Sequence, residues 1–386
     1  MRRTAAALVC LLVFCGCAPF APLGSVTADP PALSPDLRDQ RNRLDVHYHL
    51  NAAGEVSTSI VAADGRQWQL HDRAPRPLAG DYVFQFDGTV PGPGPNERRV
   101  LASGDYRIVL VAAVAGQTQR AEVPLQIRDA DTTLPDITDL AILPDHISPD
   151  FDARDDNAHI RFGLTKDARI APYVDRDVGN GDFHRVWMGE EIKALAGEQA
   201  LVWDGLASGQ PVPTGQYVLG VRARDDAGNI VERSQPLVVD RSGVPVASIV
   251  SARIGPRRII RGEQVCVDAV VRNTGTTVLR TEGPDPGYTY NSMDTYSSIE
   301  EHRFGEHAGF WRVGLNWSGG TDTSGATYPY RWGFGKDLQP GEDVTVHGCV
   351  TVLNDQDKLV YFAGLVQENV AIHNAGAGLV RIEISS

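Results

Sequence analysis

The chain repeats itself, and that limits its fold more than any other feature. Leu44 to Val56, "LDVHYHLNAAGEV", matches Ala158 to Ile170, "AHIRFGLTKDARI", with an alternating apolar run, a polar turn and the next apolar residue in the same places. "FQFDG" at Phe84–Gly88 then matches "LVWDG" at Leu201–Gly205. "RRVLASGDYRIVLVA" at Arg98–Ala112 matches "QPVPTGQYVLGVRA" at Gln210–Ala223. Three matches in one order mean two copies of one domain. Within each copy the apolar runs are short, alternate with polar residues and are broken by Gly, Pro and Asp, which predicts β-sandwiches. The one helix-like piece, "GEEIKALAGEQ" at Gly189–Gln199, is short and bounded by glycine.

Composition agrees with a turn-rich chain: 39 glycines and 24 prolines in 386 residues favour many turns over long helices. A net charge of −13 offers no basic face to neutralise phosphates, so nucleic acid is excluded as a partner. The N-terminus, "MRRTAAALVCLLVFCGCAPFAP", has two arginines, an apolar run and then small residues, the pattern of a signal peptide over 1–16. "FCGC" resembles a bacterial lipobox, although Phe14 and Cys15 stand where Leu and a small residue are usual. The resemblance implies lipidation of Cys17 and an exported chain anchored to a membrane by its acyl groups. Without lipidation the chain would be secreted. Residues 17–41, rich in Pro, Ala and Ser, are expected to form a tether.

The order "WDG…VPTGQY…VRARDDAGN" over Leu201–Asn229 resembles the Ig-like domain of FlgD, the flagellar hook-capping scaffold protein. The resemblance covers about residues 44–242 and implies two Ig-like sandwiches, 42–131 and 132–243, without implying a role in the flagellar hook. In that reading the aromatic before Asp-Gly and Tyr217 fill the core, Asp-Gly makes a turn, and Asp226–Asn229 is a hairpin turn. A third region, 244–386, pairs "VRNTG" with a later "LQPGEDV", and in this resembles Ig-like modules of the CARDB type. The fold class is therefore all-β, three tandem Ig-like sandwiches. Cys266 and Cys349, in strand-like runs of an exported chain, are expected to form a disulfide.

Four features are candidate sites. "SPDFDARDDN" resembles a motif that opens related surface Ig-like domains, and its Asp150, Asp152, Asp155 and Asp156 offer the oxygen ligands that Ca²⁺ prefers. The plainer alternative is a turn-rich linker. "DRDVGNGD" at Asp175–Asp182 has some of the carboxylate spacing of an EF-hand loop but lacks its glycine and terminal glutamate. "IEEHRFGEH" brings Glu301, His302, Glu306 and His307 close in sequence, and a zinc site there would need a further ligand such as His347 or His373. Finally, ten aromatics crowd into the 45 residues from Tyr288 to Trp332. Trp311 is expected in the core. Tyr328, Tyr330 and Trp332, in "TYPYRWGFG", are expected on an exposed loop, where they would bind a glycan or a protein at the cell surface.

No G-x-S-x-G elbow, phosphate loop or recognisable carboxylate pair is present, so the expected function is non-catalytic. A carbohydrate-binding protein using the third-domain aromatics is the alternative. A hydrolase with carboxylates distant in sequence is a further one.

Overall fold

The structure, a computed structural model, describes residues 21–36, 38, 43–305, 307–318, 327–353 and 358–385. Among these residues the chain is strand throughout, apart from loops and a single 3-10 turn at Glu300–His302.

The first copy supplies ten strands: β1 (Leu23–Asp29), β2 (Ala32–Leu33), β3 (Leu44–Leu50), β4 (Gly54–Ala62), β5 (Gln67–Arg76), β6 (Gly80–Phe86), β7 (Thr89–Pro91), β8 (Arg98–Val100), β9 (Gly104–Val114) and β10 (Gln117–Ile127), eight of which, all but β7 and β8, make its two sheets. One sheet runs β1-β3-β6 and the other β2-β10-β9-β4-β5. Alternation decides the facing: Leu44, Val46, Tyr48 and Leu50 of β3 point inward against Ile108, Leu110 and Ala112 of β9, as the two-residue period of a strand requires.

The second copy supplies β11 (Ile137–Leu143), β12 (His146–Ile147), β13 (Ala158–Leu164), β14 (Ala168–Gly179), β15 (Asp182–Met188), β16 (Ile192–Ala194), β17 (Gly197–Trp203), β18 (Leu206–Ala207), β19 (Gln210–Pro211), β20 (Gly215–Arg224) and β21 (Ile230–Val239). Its strands form a sheet β11-β13-β17, a short pair β18-β19 and an eight-stranded sheet β15-β14-β20-β21-β8-β7, in which β12 also pairs with β21 and β16 with β14; the path β12-β21-β20-β14-β15 repeats the order β2-β10-β9-β4-β5 of the first copy. The third sandwich has β22 (Ala247–Gly255), β23 (Arg258–Ile260), β24 (Gln264–Asn273), β25 (Thr289–Asn291), β26 (Trp311–Ser318), β27 (Tyr330–Trp332), β28 (Asp343–Thr351), β29 (Lys358–Gln367) and β30 (Ala371–Ser385). Its sheets run β22-β24-β28-β25 and β23-β30-β29-β26-β27.

By its contacts the chain forms two compact units, the described parts of 1–136 with 165–169 and 223–232, and 137–164 with 170–222 and 233–386.

All three sandwiches open alike. A first strand ends at Pro30, Pro144 or Pro256, where the missing N–H halts the ladder. Three residues later Leu33, Ile147 or Ile259 is buried in a short strand parallel to the sandwich's last strand. This corrects the tether expected over 17–41, because Leu23–Asp29 pairs with β3 and Ala32–Leu33 with β10. The signal was in the sequence: "PPALSPD" at 30–36 repeats "PDHISPD" at 144–150. Cys17 and the signal peptide of 1–16 lie outside the described residues.

Two minor sequence features take strand form. The helix-like 189–199 is extended, as β16 and the start of β17, because glycine ends and four apolar residues, two of them alanine, cannot outweigh the adjoining sheet. The EF-hand-like "DRDVGNGD" is the β14–β15 hairpin, with Asn180 and Gly181 at positive φ in its two-residue turn.

The repeat motifs act as their spacing predicts. Phe86 and Trp203 are buried, and the next residue's carboxylate, Asp87 or Asp204, accepts the N–H of Thr89 or Leu206. The following glycine stands at φ +86° or +74°, against Pro35 or Pro149, where a Cβ would fall within 2.7 or 2.3 Å of the proline ring. Tyr106 and Tyr217 each donate their hydroxyl to the carbonyl four residues back.

Candidate functional site

The acidic loop after Ile147 lies in the second unit. Positive φ at Phe151, Ala153 and Asp155 coils the backbone tightly and converges Asp150, Asp152 and Asp156, whose oxygens lie within 4.8 Å of one another. Asp155 is exposed and stands outside that cluster. Asp156 is committed to the backbone, accepting the N–H groups of Phe151 at 2.7 Å and Ala153 at 2.8 Å. Asp152 accepts the Arg154 N–H and is clasped by the Arg280 guanidinium. Arg241 stands 3.6 Å from Asp150 and 3.7 Å from Asp152. Three carboxylates against two guanidiniums leave one net negative charge.

Asp150 differs from its neighbours. It is only 4% exposed, and its Oδ1 is buried with no hydrogen-bond partner. Burial first, and the Asp152 charge second, push its carboxyl up to about 6. It lines a groove of about 580 Å³ together with Thr214, Arg241, Thr277, Arg280 and Asp337. The loop is held firmly on its other side. Gln367 donates to the Phe151 carbonyl, and Gly309 lies so close that a Cβ there would fall 1.8 Å from the Asp152 carbonyl oxygen.

The first unit has its own buried polar cluster around the "DDAGN" turn. Asp225 accepts the N–H groups of Gly228 and Asn229. Asn229, fully buried, donates to the Asp131 carbonyl and accepts the Val100 N–H. Lys166 bridges Asp131 at 2.6 Å and Asp225 at 2.8 Å. The turn expected to close a hairpin therefore also ties the chain at Val100 and Asp131. Sequence reading assigned it no such contact, because its partners lie about a hundred residues away.

The aromatic expectation is overturned. Tyr328, Tyr330 and Trp332 are 2%, 1% and 0% exposed and belong to the core of the third sandwich. Trp332 donates its indole N–H to the Tyr288 carbonyl and meets Tyr290 edge-on. Tyr330 stacks on Trp317 and donates to the Ser292 carbonyl. Glycine makes the room: a Cβ on Gly348 would fall 2.1 Å from the Trp332 ring, and Cβ atoms on Gly314 and Gly364 would strike Tyr328. Trp311 is buried as expected. The missed signal was glycine inside strand-like runs, which marks a close approach by a large side chain.

The histidines expected near a zinc site go separate ways. His302 contacts the Ser297 carbonyl, His307 contacts Glu282, and His373 stacks on Trp311; Glu306 lies outside the described residues. His347 instead lies beside the Cys266–Cys349 disulfide, which is closed as predicted. Elsewhere in the third sandwich, Arg312 and Glu368 are almost wholly buried and Arg331 nearly so. Glu368 faces both guanidiniums, Arg312 donates to the carbonyls of Phe304 and Gly305, and Arg331 lies 3.7 Å over the Tyr296 ring.

No family model matches the chain, and no curated protein matches it. Among solved structures it is similar to a mutant alpha-2-macroglobulin of Salmonella, with 12% identity, a TM-score of 0.23 and coverage of 94% of this chain but 23% of that one. It is also similar to a tetra-tandem repeat from the extending region of a large adhesion protein, at 11% identity and TM-score 0.20, covering 94% of this chain and 75% of that one. A third similarity is to a 1.5-MDa bacterial ice-binding adhesin, at 13% identity and TM-score 0.20, covering 95% and 97%. The all-β assignment rests on the chain's own sheets.

Proposed function

We propose that this is a non-catalytic structural or binding protein of Ig-like modules, exported and held to a membrane by lipid on Cys17. The observation that carries the reading is how the conspicuous side chains are used. The candidate aromatics, the buried Arg–Glu network and the "DDAGN" turn all serve packing and internal ties, as a scaffold requires. The closed disulfide supports an oxidising compartment.

Fractionation of cells expressing the full chain tests this. The wild type should sediment with membranes, and Cys17→Ser should move to the soluble exported or secreted fraction. Retention of both in the cytoplasm would overturn the reading.

The partnerless Asp150 Oδ1 favours a second reading for the acidic loop, as a weak Ca²⁺ site. The residues fit the ion only in part, since Asp156 and Asp152 already serve N–H groups and Arg280, whereas Ca²⁺ takes six to eight oxygens. Calorimetric titration decides. Heat from one Ca²⁺ that vanishes in Asp150→Asn supports the site, and no heat at millimolar Ca²⁺ removes it.

A further inference from the structure

The β24–β28 ladder pairs Cys266 with Cys349 and, two residues on, Asp268 with His347. In these strands Val265, Val267, Ala269, Val346 and Val350 point into the core, so alternation puts Cys266, Asp268, His347 and Cys349 together on the outer face. Asp268 holds His347 Nδ1 at 2.7 Å. That leaves Nε2 facing the sulfur of Cys349, 3.3 Å away. The Sγ atoms and a histidine nitrogen all lie within 4.8 Å of one another.

We infer that, once the disulfide is reduced, Cys266, Cys349 and His347 form a binding site for a thiophilic divalent cation of the zinc class. Two thiolates and one imidazole are a recognised zinc set that leaves a fourth position open. Zn–S bonds of about 2.3 Å and a Zn–N bond of about 2.0 Å place neighbouring ligand atoms about 3.5–3.8 Å apart in a tetrahedron. The His347–Cys349 separation is already close to that, and the two sulfurs need only part by side-chain rotation. The backbone has no need to move, because ladder pairs from Gln264↔Thr351 to Arg272↔Asp343 hold the two strands side by side. A carboxylate on the far nitrogen is the usual outer partner of a zinc-bound histidine, fixing its tautomer and raising its basicity. Asp268 occupies that place.

The redox step balances with a dithiol reductant. One of its thiolates attacks Cys266 Sγ, the S–S bond breaks, and Cys349 leaves as the thiolate beside His347. The reductant's second thiol then displaces the mixed disulfide, so that two electrons pass to the protein and the reductant closes its own disulfide. The cation binds both sulfurs as thiolates, releasing the remaining thiol protons. Disulfide and metal therefore exclude each other.

The test uses the full chain with Cys10, Cys15 and Cys17 replaced by serine, so that only Cys266 and Cys349 remain as thiols. Zn²⁺ is titrated in competition with a chromophoric chelator, before and after reduction by a phosphine, with circular dichroism recorded in both states. The expected result is one equivalent bound by the reduced, folded protein and none by the oxidised one. X-ray absorption should show two sulfur ligands and one nitrogen. His347→Gln should weaken binding at least tenfold, since it removes a ligand, while leaving disulfide formation unchanged. The proposal fails if the reduced, folded protein does not compete for zinc, or if His347→Gln binds as tightly as the parent. It fails equally if reduction unfolds the third sandwich, since the site would then not be preformed.

Discussion

Glu368 joins two buried arginines of the third sandwich. It is 1% exposed and faces Arg331 and Arg312, the latter with a side chain wholly buried. Removing one partner of a buried ion pair leaves an uncompensated charge, which costs about 3–5 kcal/mol. Glu368→Ala should lower stability by that amount in chemical denaturation. Asp150 works in the opposite direction. Its carboxyl is raised from 3.8 to about 6, so between those values the native state holds a proton that the unfolded chain has released. Stability then falls as pH rises through this window, and the full penalty is present at pH 7. Asp150→Asn removes a buried charge and should stabilise at pH 7 by roughly 2–3 kcal/mol, at about 1.4 kcal/mol per pH unit. At pH 3 it should change little. Thermal melts in the presence of a chelator, at both pH values, check this; equal shifts at the two would refute it.

At the scale of the element, strand glycines and turn motifs set which residues meet. The β28 glycine, Gly348, exists because Trp332 lies against it, with a Cβ position only 2.1 Å from the ring. Overpacking costs about 1–3 kcal/mol, so Gly348→Ala should lose at least that much stability. Adding Trp332→Leu should then cost less than its own single substitution predicts, as a double-mutant cycle would register. Such pairings explain what the sequence concealed. "TYPYRWGFG" reads as a loop because Gly and Pro cluster there, yet Tyr330–Trp332 is a strand paired to β26. Nothing local says which face of a three-residue strand is covered. The "DG" turns were legible because each is completed within a few residues of itself.

At the scale of the whole molecule, the disulfide closes a loop between residues separated by 83 positions. Pulled from its ends, the oxidised chain keeps that loop folded out of the extended length. Reduction should lengthen the contour released by the third sandwich by roughly 290 Å, at about 3.5 Å per residue. Single-molecule force spectroscopy with and without reductant measures this. An unchanged contour would mean the cysteines are not bridged. In the chain-entropy model the same closure stabilises the sandwich by roughly 4 kcal/mol, so reduction should also lower its melting temperature.

The amino-acid order alone determined the all-β class, the duplication and the disulfide partners, because each is written in local alternation, in short turn motifs or in a cysteine count. It also held the opening motif "P-x-x-Φ-S-P-D" of the first copy, overlooked because Pro and Ser read as tether where no strand partner is visible. The tertiary structure decided the rest. It buried Tyr328, Tyr330 and Trp332, bound Asp152 to Arg280 across 128 positions, and set His347 against Cys349. These outcomes depend on which faces and which distant segments come into contact, and sheet pairing settles that only after every strand has found its neighbour.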